Sequence, residues 1–402
     1  MKRKLTILLF ALLSTVTLFS QSDFSQWRGP NRDGHYPESN LLSTWGSGAP
    51  PLLWKFNDLG AGYASASVAD GHVVTVGTSP DSVAHVYCFD LKGALQWKTK
   101  LGRDFMGEYS GTYSTPVLCK GRGYITTGLG VLYCFSLESG SIIWSQDLIK
   151  TFNGPEPKSG YLDNLVIHEN LVICAPGGSS NNIVALDQLT GKLVWQSGGQ
   201  SEVGGFGSPA LISFNGQKLY VYQDATSIIA LNPADGKVVW KYERGCGTAV
   251  GTLFHRDGFL FYLAEGSSVM LKLSSDGRPP QIAWTSTDFF PLQGDPVLIG
   301  NRLYGKGRGK KFVGIDWKTG QTIVSIPTQS MVVTSITADG KIYYYDIDGS
   351  FQLIQPTDSG LETVGSFKVH GGTKYHCSHP VISGGVLYIR HDNSLFAYKI
   401  SK

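Results

Sequence analysis

Three short stretches gather side chains able to bind or to do chemistry. Gly107-Glu108-Tyr109-Ser110-Gly111-Thr112-Tyr113 sets a carboxylate among aromatic rings, and Lys158-Ser159-Gly160-Tyr161-Leu162-Asp163 joins a cation, a ring and a carboxylate. Tyr375-His376-Cys377-Ser378-His379 adds two imidazoles and a thiol. Tyrosine rings offer flat faces to a sugar or a peptide, while Lys158, Asp163 and His376 offer directional hydrogen bonds. Tyr109, Tyr113, Lys158, Tyr161, Asp163, His376 and His379 are therefore the candidate ligand-binding set.

Other constellations read as turns or fillers. Gly305-Lys306-Gly307-Arg308-Gly309 has the glycines of a phosphate cradle, but it joins two strands where a phosphate loop must open a helix. It is a basic hairpin tip. Asp346-Ile347-Asp348-Gly349 is half of a calcium loop without the closing bidentate Glu, and reads as a hairpin turn. Strand alternation sends His376 and His379 to opposite faces, which argues against a shared metal. Neither a Gly-x-Ser-x-Gly nucleophile elbow nor a Cys-x-x-Cys-His haem attachment occurs in the sequence. Cys88, Cys119, Cys134, Cys174, Cys246 and Cys377 are expected as buried free thiols acting as small apolar residues.

What positions the three stretches is a repeat. Residues 185–195 read ALDQLTGKLVW, 230–240 read ALNPADGKVVW and 134–144 read CFSLESGSIIW. Looser copies occupy 87–97, 271–284 and 312–324, the last with Val324 in place of Trp. The register tryptophans Trp97, Trp144, Trp195, Trp240 and Trp284 fall 47, 51, 45 and 44 residues apart. Such a period marks a repeat architecture. In each copy an apolar strand, such as residues 183–186, meets a tight turn where Gly191 is free to take positive φ, and Leu193-Val194-Trp195 begins the next strand. The Trp is expected to pack between neighbouring sheets. Two further strands precede each copy, as in residues 64–69 and 72–76 around Asp70-Gly71. Each unit is then a four-stranded antiparallel sheet, and radial repetition of such sheets builds a β-propeller.

The ends of the chain complete one another. Ser394-Leu395-Phe396-Ala397-Tyr398 starts a copy and stops before its Trp, while Pro51-Leu52-Leu53-Trp54-Lys55-Phe56 supplies the missing half. With a degenerate unit over 332–369 the count is eight blades, or seven without it. The expected fold is all-β: an eight-bladed β-propeller of four-stranded antiparallel blades, closed by the N-terminal strand completing the last blade. Aligned inner strands bring Ser65, Thr115, Asn164, Ser208, Asp295, Thr334 and His379 to one level, read as the polar lining of a water-filled channel mouth. Above it, loops 104–113, 153–163 and 371–379 differ from blade to blade. Variety on one rim of a repeat scaffold is where binding concentrates, so the ligand is expected on this funnel face.

Residues 1–20 stand apart. Lys2-Arg3-Lys4 precedes an apolar run over 5–19, and Ser20-Gln21 offers a small-residue cleavage point. That is the pattern of a secretory signal peptide, so a periplasmic or secreted protein is expected after cleavage near Ser20. Residues 21–50 are a lead-in and 51–402 the propeller. Losing Lys2, Arg3 and Lys4 takes the formal charge from +3 to zero, which argues against nucleic acid or an anionic membrane as partner. No membrane span is expected, and a monomer is.

The repeat, with Ala185-x-Asp187-x-x-Thr190-Gly191-Lys192-x-x-Trp195 as its best copy, resembles the tryptophan-docking repeat of the PQQ-dependent dehydrogenases and their non-catalytic relatives. Among these relatives is the propeller subunit of the outer-membrane β-barrel assembly machinery. Trp27-Arg28-Gly29-Pro30-Asn31-Arg32-Asp33-Gly34 also resembles the lead-in of exported PQQ-like propellers. The resemblance spans residues 51–400 and is specific for fold rather than activity. The chain lacks the adjacent Cys-Cys pair and the long inserted loops of the alcohol-oxidising members. A binding or assembly scaffold without cofactor, taking a protein segment or glycan, is the reading that follows. The alternative is a quinoprotein-type oxidoreductase of an alcohol or sugar. It would need PQQ and calcium, with Asp295, Asp163 and Glu108 as carboxylates, Asn164 as a further oxygen, and Lys158 or Arg308 as positive charge.

Overall fold

The computed structural model describes residues 23–45, 48–157, 159–162, 164–178, 182–198, 208–224, 226–243, 251, 253–264, 266–290, 294–330, 332–358, 360–371 and 378–402. Eight antiparallel sheets form eight blades. Blade 1 comprises Ser67–Ala69, His72–Thr78, Val83–Asp90 and Leu95–Arg103, from the axis outward. Blades 2 to 7 follow at 117–147, 166–197, 210–242, 254–286, 297–327 and 333–368. Blade 8 joins Val381–Ser383, Val386–His391 and Ser394–Lys399 to the N-terminal Leu52–Asn57. The ring is thus closed by strand exchange between the two ends, and the unit over 332–369 is a full blade.

The repeat motif is an inter-blade fastener. Trp97, Trp144, Trp195 and Trp284 each donate an indole hydrogen bond of 3.0 Å into the following blade, to the carbonyls of Leu137, Gln188, Pro233 and Trp317. Each ring lies on the turn glycine of that blade. A Cβ on Gly191, whose φ is +68°, would sit 2.7 Å from Trp144, and one on Gly236 would sit 2.4 Å from Trp195. Glycine is therefore required twice over at this position, by backbone conformation and by the indole above it. The motif aspartate ties the same turn. Asp187 Oδ1 accepts from Leu189 N, Thr190 N and Thr190 Oγ1 at 3.1, 2.9 and 2.7 Å, and these bonds hold its carboxyl below the ordinary range.

Blade 7 departs from this pattern. Gly365 pairs with Leu353 where Trp195 pairs with Ala185 in blade 3, so it occupies the register position without a side chain. Trp45 of the lead-in fills the vacancy. Its ring atoms lie 2.6–2.9 Å from where a Cβ on Gly365 would stand. The indole packs against Tyr343, Phe351 and Phe367 with centroids 6.0, 6.4 and 6.1 Å away.

The lead-in otherwise threads the axis. Phe24–Ser25 pairs with Leu118 and Cys119 on the inner strand of blade 2. The chain then turns over at the level of the polar ring and returns along blade 7, where Tyr36 N donates to Thr337 O at 2.8 Å. It leaves at the turn face, where Glu38 accepts from Gly384 N and Gly385 N at 2.6 and 2.7 Å. Cys88, Cys119, Cys134 and Cys174 are buried free thiols, whereas Cys246 and Cys377 lie outside the described residues. Among the described residues no helix is long and apolar enough to cross a membrane.

Candidate functional site

The polar ring predicted for the channel mouth is joined by hydrogen bonds from blade 8 through blades 1, 2 and 3 to blade 4. Ser65 Oγ donates to His379 O of blade 8 at 2.8 Å, and Ser65 N donates to Thr115 Oγ1 of blade 2 at 3.1 Å. Thr115 N in turn donates to Asn164 Oδ1 at 3.1 Å, and Asn164 Nδ2 donates to Ser208 Oγ at 2.8 Å. Every member of the ring, from Thr334 at 1% exposure to His379 at 7%, is buried. Among the described residues, the lead-in occupies this level, where the sequence predicts a water-filled mouth.

Two arginines anchor that occupant. Arg28 is fully buried; its Nη2 donates to Pro296 O at 2.6 Å and its Nη1 lies 3.6 Å from Asp295 Oδ1. Arg32 donates to Leu165 O at 2.7 Å and Asn164 O at 3.0 Å. The Trp27 and His379 rings meet in a T-shaped contact, with centroids 5.3 Å apart and planes at 84°. His379 Nε2 lies 3.4 Å from Asp295 Oδ2, yet the two are not an ion pair. Burial, and secondarily the Arg28 charge, push the imidazole down to about 3, so Arg28 is the cation that matches Asp295. Since the folded value lies below the ordinary 6.5, the unfolded chain takes up the proton first as pH falls. His379 therefore stabilises fully above the unfolded value, and that contribution is lost from pH 6.5 downward toward 3. Between pH 7 and pH 5 the loss is about 2 kcal/mol. Denaturant melts at both pH values should show it in the parent protein and a smaller drop in His379→Gln. Equal drops in the two proteins would contradict this assignment.

Among the described residues, the rim above blades 1 and 2 presents an open surface. Tyr63 stacks on Tyr113 with centroids 5.2 Å apart and planes at 18°, and Tyr109 stands beside them at 6.3 Å. Tyr113 Oη donates to Tyr109 O at 2.5 Å, which fixes the loop over the pair. Tyr109 and Met106 are each 44% exposed. A groove of about 510 Å³ runs past Arg103, Phe105, Met106 and Leu129. Its floor is held by Asp104, a buried residue that sequence reasoning did not single out. Asp104 Oδ2 accepts from Thr78 Oγ1 and Thr112 Oγ1 at 2.5 and 2.6 Å, and Oδ1 accepts from Gly128 N and Phe105 N at 2.6 and 2.9 Å. An aspartate inside a polar loop carries no sequence signal of such convergence.

The other candidate residues are scattered. Glu108 is exposed at the tip of the rim loop. Tyr161 is only 6% exposed, bonded through Oη to Ala175 O at 3.0 Å, so its ring faces core and not a ligand. Truncating it would register in stability. Its neighbour Gly160 does join the rim, with a Cβ position 3.0 Å from Tyr113 and 3.3 Å from Phe105. Lys158, Asp163 and His376 lie outside the described residues. Arg308 bridges two loops, donating to Thr287 O and Gly266 O at 3.0 and 2.7 Å. Of the oxygens suggested for calcium, Asn164 is spent in the belt, Asp295 faces Arg28 and Glu108 is at the rim, while Asp163 lies outside the described residues. Among the described residues no group of three His, Cys, Asp or Glu side chains is placed to hold a metal.

Comparisons with known proteins agree with this architecture. A family model described as outer membrane protein assembly factor BamB matches residues 82–248. BamB of Shewanella oneidensis is 23% identical over 295 residues, 67% of this chain and 70% of that protein. BamB of Moranella endobia is 26% identical over 194 residues, 47% of this chain and 46% of that protein. Among solved structures, BamB from Moraxella catarrhalis superposes with a TM-score of 0.60 at 16% identity, covering 87% of this chain and 97% of that one. The quinohemoprotein alcohol dehydrogenase of Comamonas testosteroni gives 0.64 at 13% identity, covering 91% and 78%. At these identities the structural likeness speaks for the fold alone. The repeat, the eight-bladed ring and the sequence matches together make the chain similar to the PQQ-like β-propeller proteins.

Proposed function

We propose that the protein is an exported binding scaffold that works without a cofactor and takes an extended protein segment or a glycan on the funnel rim of blades 1 and 2. One observation carries this reading. The axis is filled by the chain itself, whereas the rim leaves Tyr109 and Met106 exposed beside a groove and a stacked tyrosine pair. Flat rings over a rigid floor give contact area at small entropic cost. The sequence relatives are named as outer membrane protein assembly factors, which favours a protein segment as the first ligand to try.

The runner-up, a quinoprotein oxidoreductase, has in its favour only the fold shared with an alcohol dehydrogenase. The two readings separate in one experiment. A ligand that binds the folded state raises the melting temperature. Calcium with PQQ is expected to leave the melting temperature unchanged and to support no dye reduction with alcohols or sugars. A rise of several degrees accompanied by dye reduction would replace the scaffold with the enzyme.

A further inference from the structure

We propose that the propeller axis is a recognition site for a peptide turn carrying an indole and two guanidinium groups, and that residues 24–36 are the chain's own occupant of it. The site is built from opposed inner strands. Blade 6 supplies Pro296 O and the Asp295 carboxylate to one guanidinium, and blade 3 supplies Leu165 O and Asn164 O to the other. Paired backbone carbonyls suit the planar fork of Arg, whose several donors lie in one plane, and suit a lysine ammonium poorly. The Trp27 ring meets His379 in a T-shaped contact, while Arg28 and Arg32 lie 5.7 and 5.9 Å from its centroid. Phe254 of blade 5 receives the outer side of Arg28 at 5.7 Å.

The occupant is a folded turn and not merely a strand that continues a blade. Gly34 N donates to Arg28 O at 2.9 Å and Arg32 N to Gly29 O at 3.1 Å. Arg28 and Arg32 both take left-handed backbone with φ of 59° and 60°. A Cβ on Gly34, whose φ is +75°, would stand 2.4 Å from an Arg28 nitrogen, so this glycine admits the guanidinium to its place. The strand pairing that precedes the turn extends over two residues only, Phe24 and Ser25. After the turn, Tyr36 N donates to Thr337 O and Gly34 O accepts from Thr337 N at 2.8 and 2.7 Å, so the turn's side chains add to short backbone pairings at both of its ends. Being tethered, the chain's own segment acts at an effective concentration of roughly millimolar, and it excludes a competitor until it is loosened. A second copy or a separate protein could supply the same turn chemistry, with the site then opened from the closed state described here.

The test uses the full-length protein and a fluorescein-labelled peptide of residues 23–36. Arg32→Ala loosens the resident turn, so this variant is expected to bind the peptide at least tenfold more tightly than the parent protein does. A peptide with both arginines replaced by lysine should lose most of that binding. Light scattering separates the sources: doubling of mass in the Arg32→Ala protein at high concentration indicates exchange with a second copy, whereas a protein that stays monomeric and still binds the peptide shows that the site takes the turn in trans without such exchange. Should Arg32→Ala fail to fold, a protease site placed between Pro37 and Glu38 lets the native segment be cut and exchanged against labelled peptide. Equal binding to variant and parent, equal binding of the lysine peptide, or a cut segment that never exchanges would overturn the proposal.

Discussion

Deleting residues 51–56 is expected to abolish the monomeric fold. Leu52–Asn57 is the outer strand of blade 8, paired with Ser394–Lys399 through Trp54↔Ala397, Lys55↔Phe396 and Phe56↔Leu395. It also fastens blade 8 to blade 1, because Trp54 lies on Gly93 and its Nε1 donates to Leu91 O at 3.0 Å. Phe56 adds a ring contact to Phe89 with centroids 4.8 Å apart. Without the strand, blade 8 loses its outer ladder and the ring opens at a newly bared edge, a template for pairing with other chains. Soluble oligomers and loss of a single cooperative melt are expected by light scattering and calorimetry. A truncated protein that stays monomeric with an unchanged melting temperature would contradict closure by this strand.

The second large effect concerns Trp45. Truncating an aromatic packed against three other rings costs about 3 kcal/mol, and Trp45→Ala should lose stability of this order in denaturant titrations. The sign of a second change then depends on the first. In the parent protein Gly365→Ala forces a methyl against the indole and should destabilise. In the Trp45→Ala background the same methyl enters the vacated space and should stabilise. Opposite signs in this double-mutant cycle identify Trp45 as the stand-in for the missing blade 7 tryptophan. Equal signs would show that the two positions do not share one space.

The ring was legible in sequence because its determinants are local and repeated. Asp187, Gly191 and Trp195 recur at fixed offsets, and each offset reports a turn, a close approach or a docked ring. Blade 7 was legible only as alternation, since the residue that replaces its tryptophan stands at position 45, some 320 residues from Gly365 in the sequence. The same separation hid the channel. Ser65, Thr115, Asn164 and His379 do share one level, but their polarity signals a hydrogen-bonded belt as readily as a wet pore. Only the lead-in decides between them. Trp27, Arg28 and Arg32 carried the one available signal, two arginines and an indole in a glycine-rich turn, and no periodicity says where such a turn docks. At the rim, Tyr109 and Tyr113 were within reach of composition and spacing. Tyr161 was not, because a tyrosine beside a glycine reads alike whether it faces solvent or core.

The most direct measurement for the scaffold reading is a fluorescence titration with a labelled peptide of alternating aromatic and polar residues. It compares the parent protein with Tyr109→Ala and Tyr113→Ala on the rim, and with Lys192→Ala and Lys237→Ala on the turn face. The rim variants should each weaken binding about tenfold, equivalent to about 1.4 kcal/mol, while the turn-face variants match the parent. Loss of affinity in Lys192→Ala and Lys237→Ala with the tyrosine variants unchanged would place the binding surface on the opposite face and contradict the account.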